Sequence, residues 1–175
     1  MTQTLPAPAA EAVGPESLIG TPLPPAVLVL ERGPVARFAE AVRDGSPAYS
    51  SPEQARELGL PGMPVPPTYL FAAAHWGTFP EQQPPAPPGA RTLVDLVTSL
   101  RAEGGMVLHG SQEFSYLEPV CVGDVLHVEG VVEDVIVKPG RDGRRGMTVM
   151  TVRTDYRGAD GVLRAVARAT FLHRP

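Results

Sequence analysis

The chain has 175 residues, enough for one domain with a sizeable core. Its hydrophobic fraction of 43% and charged fraction of 19% are ordinary for a globular chain, and a net charge of −4 lacks the basic footprint that nucleic-acid binding demands. Aromatic residues make up only 6%, which also argues against a base-stacking platform.

The opening stretch, "MTQTLPAPAAEAVGPES", has neither a basic n-region nor an apolar h-region, so no secretory signal is expected. Its Ala/Pro/Thr-rich composition predicts a disordered tail over residues 1–16, followed by one domain over 17–175. Apolar runs such as "AVLVL" fall far short of the ~20 residues that span a bilayer. The lone Cys121 permits no internal disulfide, has no metal-ligand spacing around it, and reads as a small buried residue. Together these features predict a cytoplasmic protein with no metal, no cofactor and no membrane contact.

In chain order, "AVLVLE" (26–31) predicts a short strand. "GPVARFAEAVRD" then predicts a helix with Pro34 at its first position, ending near Asp44-Gly45. Val35, Phe38, Ala39 and Val42 form its apolar stripe. A second helix opens at Ser51, where Ser51-Pro52-Glu53-Gln54 has the capping-box pattern, and closes at Gly59. A Pro-rich entry with Pro67 near the first turn leads into a third helix, thinned by Ala72, Ala73 and Ala74 so that it can lie close to a sheet. "PEQQPPAPPGA" (80–90) reads as a surface loop or lid inserted in the domain, because proline removes donors and restricts its neighbours. "TLVDLVTSL" (92–100) predicts a fourth helix with Leu93, Leu96, Val97 and Leu100 on one face.

From Met106 the pattern turns to strands. Alternation puts Met106, Leu108, Phe114 and Tyr116 on one face of the first, with His109, Ser111, Glu113 and Ser115 on the other. The next runs from 124 to 138 with Leu126, Val128, Val132 and Ile136 in phase. "KPGRDGRRG" predicts a turn around Asp142-Gly143, followed by strands over 147–156 and 162–173. Ala165, Ala167, Ala169 and Phe171 share one face of the last, and the small residues leave room for a packed helix. Helices gathered against one face of an antiparallel sheet make an α+β fold.

Three stretches carry a family resemblance. "RFAEAVRDGSPAY" resembles the region of MaoC-like hot-dog hydratases and dehydratases that holds a catalytic Asp and a His five residues later. "PVPPTYL" resembles the entry to their central helix, and "LHGSQEFSYLEPVCVGDVL" resembles a signature of the N-terminal, FAS1-like dehydratase branch. The matches occur in order and cover residues 17–173. The resemblance implies a hot-dog fold, an antiparallel sheet wrapped around a central helix. It also implies reversible hydration of an acyl thioester on CoA or acyl carrier protein, in a homodimer or in a heterodimer with a catalytic MaoC-like subunit. The branch includes the substrate-holding subunits of two-component 3-hydroxyacyl-ACP dehydratases.

By position, Asp44 matches the family's aspartate, and Tyr49 stands where its histidine belongs. A phenol has an ordinary pKa near 10 against about 6.5 for imidazole, so Tyr49 makes a poor general base at neutral pH. The resemblance therefore points to a substrate-binding subunit. It also assigns backbone donors for the thioester carbonyl to the turn around Val65, Thr68 and Tyr69, and draws Gly110 and His109 into the site through the "HG" pair. Each residue has a plainer reading: Asp44 as a helix-end turn residue, Tyr49 as packing, His109 as a hydrogen-bonded strand residue. "RDGRR" (141–145) reads as a solvated hairpin tip or a contact for a ligand phosphate. The alternatives are a self-sufficient homodimeric hydratase using Asp44 with His109 or Tyr49, a non-enzymatic acyl-thioester-binding protein, and a thioesterase.

Overall fold

The computed structural model describes residues 14–102, 104–140 and 146–175. The tail up to residue 13 and the Asp142-Gly143 turn with "RDGRR" lie outside the described residues.

Five antiparallel strands form one sheet: β1 (Ala26–Val29), β2 (Met106–Tyr116), β3 (Val125–Lys138), β4 (Met147–Gly158) and β5 (Leu163–Arg174). Their spatial order is β1-β3-β4-β5-β2, so β1 and β2 are the edges. Among the described residues four α-helices accompany the sheet: α1 (Arg32–Ala41), α2 (Pro52–Glu57), α3 (Tyr69–Ala73) and α4 (Leu93–Leu100).

The helical side of the sheet carries two cores. Leu28, Leu30, Val35, Tyr69, Leu70, Ala73, Leu126, Tyr156, Ala165 and Ala167 pack together beneath α1 and α3. Leu96 and Leu100 of α4 pack on Val132, Val135, Met150 and Val152, joined by Leu18 from a 3-10 turn at Pro15–Leu18. Each large side chain fully buried this way stabilises the fold by about 1.5–3 kcal/mol. Ala165 and Ala167 are the small residues under the helical layer, as their alternation implied. The helix over them is shorter than expected: α3 has five residues, with Thr68 as its N-cap, and α4 covers the other end of the strands.

Two strand faces differ from the simple alternation, each at a β-bulge. In β2 the register shifts between His109 and Ser111, leaving Gly110 unpaired. Before the bulge Val107 and His109 pair with His173 and Phe171; after it Gln112, Phe114 and Tyr116 pair with Ala169, Ala167 and Ala165. Those β5 partners are alternate residues on the helical face, so Met106 and Leu108 point away from Phe114 and Tyr116 and are more than half exposed. In β3 the shift lies between Val132 and Asp134, which turns Val135 inward and leaves Ile136 47% exposed. An extra residue inverts the parity of everything beyond it.

The helix boundaries differ in smaller ways. α1 begins at Arg32, which puts Pro34 at its third residue, and Val42 is exposed. Ser51 caps α2 by accepting from the Glu53 and Gln54 N–H groups, and Gly59 closes it with φ +78°. Thr92 and Asp95 form a reciprocal capping box on α4, whose Leu93 is exposed rather than on the buried face.

Candidate functional site

The last turn of α1 builds one wall of the site. Arg43, directly after the helix, takes φ +58°, a left-handed conformation that glycine usually occupies, and it is the only non-glycine residue with positive φ among the described residues. This reversal lets the Asp44 N–H donate to the Ala39 carbonyl at 2.9 Å. Asp44 Oδ1 then accepts from the Ser46 N–H at 3.1 Å, an Asx turn that steers the chain into a 3-10 turn at Pro47–Tyr49. The turn brings Tyr49 back beside Asp44. Both line a pocket of about 320 Å³ with Arg32, Glu40 and Ser50.

Burial holds the Tyr49 phenol above its ordinary pKa, and Asp44 raises it further, by its charge and by side-chain hydrogen bonding. Tyr116 lies close enough for the Tyr156 and Tyr49 phenols to add to the upward shift that burial causes. Its hydroxyl donates to the Pro67 carbonyl at 2.8 Å, tying the end of β2 to the entry of α3. Burial pushes Tyr156 up to about 12 and raises Tyr69 as well, Glu31 adding to the latter. All four tyrosines therefore keep their protons at neutral pH, and none of them is a base.

The other sequence-derived candidates sit elsewhere. His109 stacks between Phe71 of α3, at 5.6 Å between ring centroids, and Phe171 of β5, at 5.5 Å. Seven residues at about 3.3 Å each separate it from Tyr116, so the two Cα atoms are roughly 20 Å apart along β2. His109 is not among the residues that line the pocket with Asp44. Gly110 has a packing reason to be glycine, because a Cβ there would lie 2.8 Å from Thr170 Oγ1 and 3.0 Å from Leu172 Cγ. In the turn before α3, Val65 and Tyr69 already donate their N–H groups to the Val120 and Pro66 carbonyls, and Pro66 and Pro67 have none. Of the three N–H groups in this turn, that of Thr68 is the one that donates to no other backbone group among the described residues. The Tyr69 side chain is fully buried between Phe38 and Trp76, and its hydroxyl has no partner among the described residues.

Sequence reasoning missed Tyr116 and Arg32. Tyr116 looked like one more apolar residue in an alternating strand. Its signal was the polar tip of a tyrosine at a strand end, which needs a partner when partly covered. Among the described residues no cluster of three His, Cys, Asp or Glu side chains is placed to hold a metal ion.

A curled antiparallel sheet closed over helices on one face, with an Asp-containing turn at the end of the first helix, is the hot-dog fold of MaoC-like dehydratases. Solved structures bear this out. The HadBC (3R-hydroxyacyl-ACP dehydratase) complex of Mycobacterium tuberculosis superposes with a TM-score of 0.63 at 22% identity, covering 89% of this chain and 96% of that one. The ChsH1-ChsH2 complex of the same organism gives 0.68 at 18% identity, covering 90% and 85%. The family model described as "FAS1-like, dehydratase domain region" matches residues 17–166, and the chain belongs to this family. Curated relatives include a UPF0336 protein of Streptomyces coelicolor, 35% identical over 128 residues, covering 73% of this chain and 77% of the relative. Another, from Saccharopolyspora erythraea, is 29% identical over 163 residues, covering 91% and 90%. Among the described residues no helix is long and apolar enough to cross a membrane.

Proposed function

We propose that this chain is the substrate-binding member of an acyl-thioester hydratase/dehydratase, holding an enoyl or 3-hydroxyacyl thioester of CoA or acyl carrier protein while a MaoC-like partner supplies the base. The observation that carries this reading is the Asp44–Tyr49 pair. The turn geometry brings the position five residues after the aspartate to the carboxylate, but the group there is a phenol whose pKa is raised further. Loss of a general base removes typically ~10²–10⁴-fold in rate.

Two further observations favour a partner. Among the described residues β2 is an edge strand of eleven residues with no neighbouring strand on its outer side, and Met106 and Leu108 are exposed along it. A long open edge of this kind pairs readily with another strand. Two of the structures it resembles, HadBC and ChsH1-ChsH2, are themselves complexes. The self-sufficient version, with Asp44 working through His109, is weaker because roughly 20 Å of strand separates Tyr116, beside Tyr49, from His109.

Calorimetry with octanoyl-CoA and 2-octenoyl-CoA tests the reading. The purified chain is expected to bind both and to return them chemically unchanged. Absence of binding removes the substrate-holding role, and release of free CoA thiol identifies a thioesterase instead. Binding that gains turnover with no candidate partner favours the non-enzymatic binding protein.

A further inference from the structure

Among the described residues, tyrosines and Cys121 aside, the buried polar side chains are Thr148 and His173, 7% and 5% exposed. They are direct partners across the β4–β5 ladder and share the helical face with Met150. Both line one cavity of about 490 Å³, which the C-terminal turn of α4 at Ser99 and Leu100 also lines. Small-molecule sites fall in the range of about 300–1,000 Å³ and combine apolar walls with a few convergent polar groups. Here the apolar walls include Leu18, Leu100, Val137 and Met147.

The polar groups of this cavity keep bonds to make. The His173 Nε2–H donates to the Gly104 carbonyl at 2.9 Å, which leaves Nδ1 as the ring's second hydrogen-bonding atom. The wholly enclosed, unpaired side-chain polar atom among the described residues is the Tyr69 hydroxyl. The Thr148 hydroxyl, which also lacks a partner there, therefore opens onto the cavity. Arg91 donates from one Nη to the Asp95 carbonyl at 3.1 Å and to the Ser99 hydroxyl; its Nε and other Nη have no partner among the described residues. The Asp95 carboxylate is turned to the Thr92 cap, accepting from the N–H at 3.0 Å and from the hydroxyl at 2.6 Å.

Charge and position narrow the ligand. Among the described residues Arg91 is the charged side chain of this lining, and no Asp or Glu shares it. A guanidinium and a hydroxyl suit a carboxylate, and the apolar walls suit a hydrocarbon tail. The imidazole suits either form of an acid: neutral, its Nδ1 accepts from a carboxyl; protonated, it donates to a carboxylate. The cavity shares no lining residue with the Asp44–Tyr49 pocket. Eight residues of β4 at about 3.3 Å each, roughly 26 Å, separate Thr148 from Tyr156. Buried Met150 and Val152 fill the strand's helical face between them.

We propose that this cavity is a second ligand site, which binds a medium-chain carboxylic acid with its head at Arg91, Thr148 and His173 and its tail on Leu18, Leu100, Val137 and Met147. It stands apart from the acyl-thioester reading and does not depend on it.

Calorimetry of the full chain with octanoate, octylamine and octanoyl-CoA tests the site. Octanoate is expected to bind saturably at one site, and octylamine at least tenfold more weakly, because the guanidinium repels it. Thr148→Val removes the hydroxyl at nearly constant shape and is expected to weaken octanoate about 3–10-fold, the range of a single net hydrogen bond. Arg91→Gln is expected to weaken it about 10–100-fold, as loss of a charge-assisted bond does. Saturating octanoyl-CoA should leave octanoate binding unchanged. Absence of octanoate binding overturns the inference and leaves the acyl-thioester reading standing. Equal binding of octylamine, displacement by octanoyl-CoA, or wild-type affinity in both variants overturns it as well. Should Arg91→Gln lower the melting temperature too far to be assayed, Thr148→Val and the octylamine comparison decide.

Discussion

The two edges of the sheet are finished differently. Along β1 the segment after α3 acts as a substitute strand. The Gly77 carbonyl accepts from the Val29 N–H at 2.8 Å. The Gln83 amide engages both backbone groups of Val27, accepting at Oε1 (3.0 Å) and donating from Nε2 (3.1 Å), and the same Nε2 reaches the Phe79 carbonyl at 2.9 Å. A side chain thus completes the ladder where no strand is available. Along β2 nothing among the described residues plays this part. The difference teaches where the sheet can grow: one edge is sealed from within, and the other, flanked by exposed Met106, Leu108 and Leu117, is the open one, where we place the proposed partner.

The sealed edge is the place for the largest effect. Gln83→Glu puts a carboxylate against the Val27 and Phe79 carbonyls in place of the donor. It is expected to cost about 1–3 kcal/mol, read as a lower melting temperature, and to open the edge to self-association that light scattering detects. Unchanged melting and a monodisperse sample would show that the Gln83 bridge seals nothing. On the open edge, Leu108→Lys is expected to leave the chain's own stability within about 0.5 kcal/mol. It should nevertheless weaken assembly with an Asp/His-bearing partner by about tenfold, measured by sedimentation. Equal assembly by the variant would move the partner surface away from β2.

The smallest effect lies on the sheet between the edges. Arg168 of β5 donates twice to Glu133 at the β3 bulge, at 2.7 and 3.0 Å, and lowers the Glu133 pKa from its ordinary 4.5. A carboxylate with a lowered folded pKa contributes stability above its unfolded value. That stability is lost as pH falls through the folded one. Both groups are partly exposed, so solvent screens the pair. Melting curves of wild type and Glu133→Gln are expected to differ by about 1–2 °C near pH 6 and to converge toward pH 3.

Much of this architecture was readable beforehand. The strands over 26–31, 124–138, 147–156 and 162–173 and the Ser51 cap all rest on local chemistry or on motif spacing. The failures share a cause. Alternation assumes an unbroken ladder, and each bulge inverts the faces beyond it. Gly110 offered a hint, since glycine inside a strand often marks a bulge; Glu133 offered none. Gln83 and Tyr116 escaped because each acts through one side-chain bond to a backbone group 56 or 49 residues away, a tie that no local pattern encodes.

The central claim is that a phenol stands where the proton acceptor belongs. Its most direct test is hydration of 2-octenoyl-CoA by the purified chain, alone and mixed with a family member that carries Asp and His five residues apart. The account predicts a rate indistinguishable from buffer for the chain alone and turnover when the second chain is added, above what that chain achieves by itself. Steady turnover by this chain alone that Asp44→Asn abolishes would contradict it.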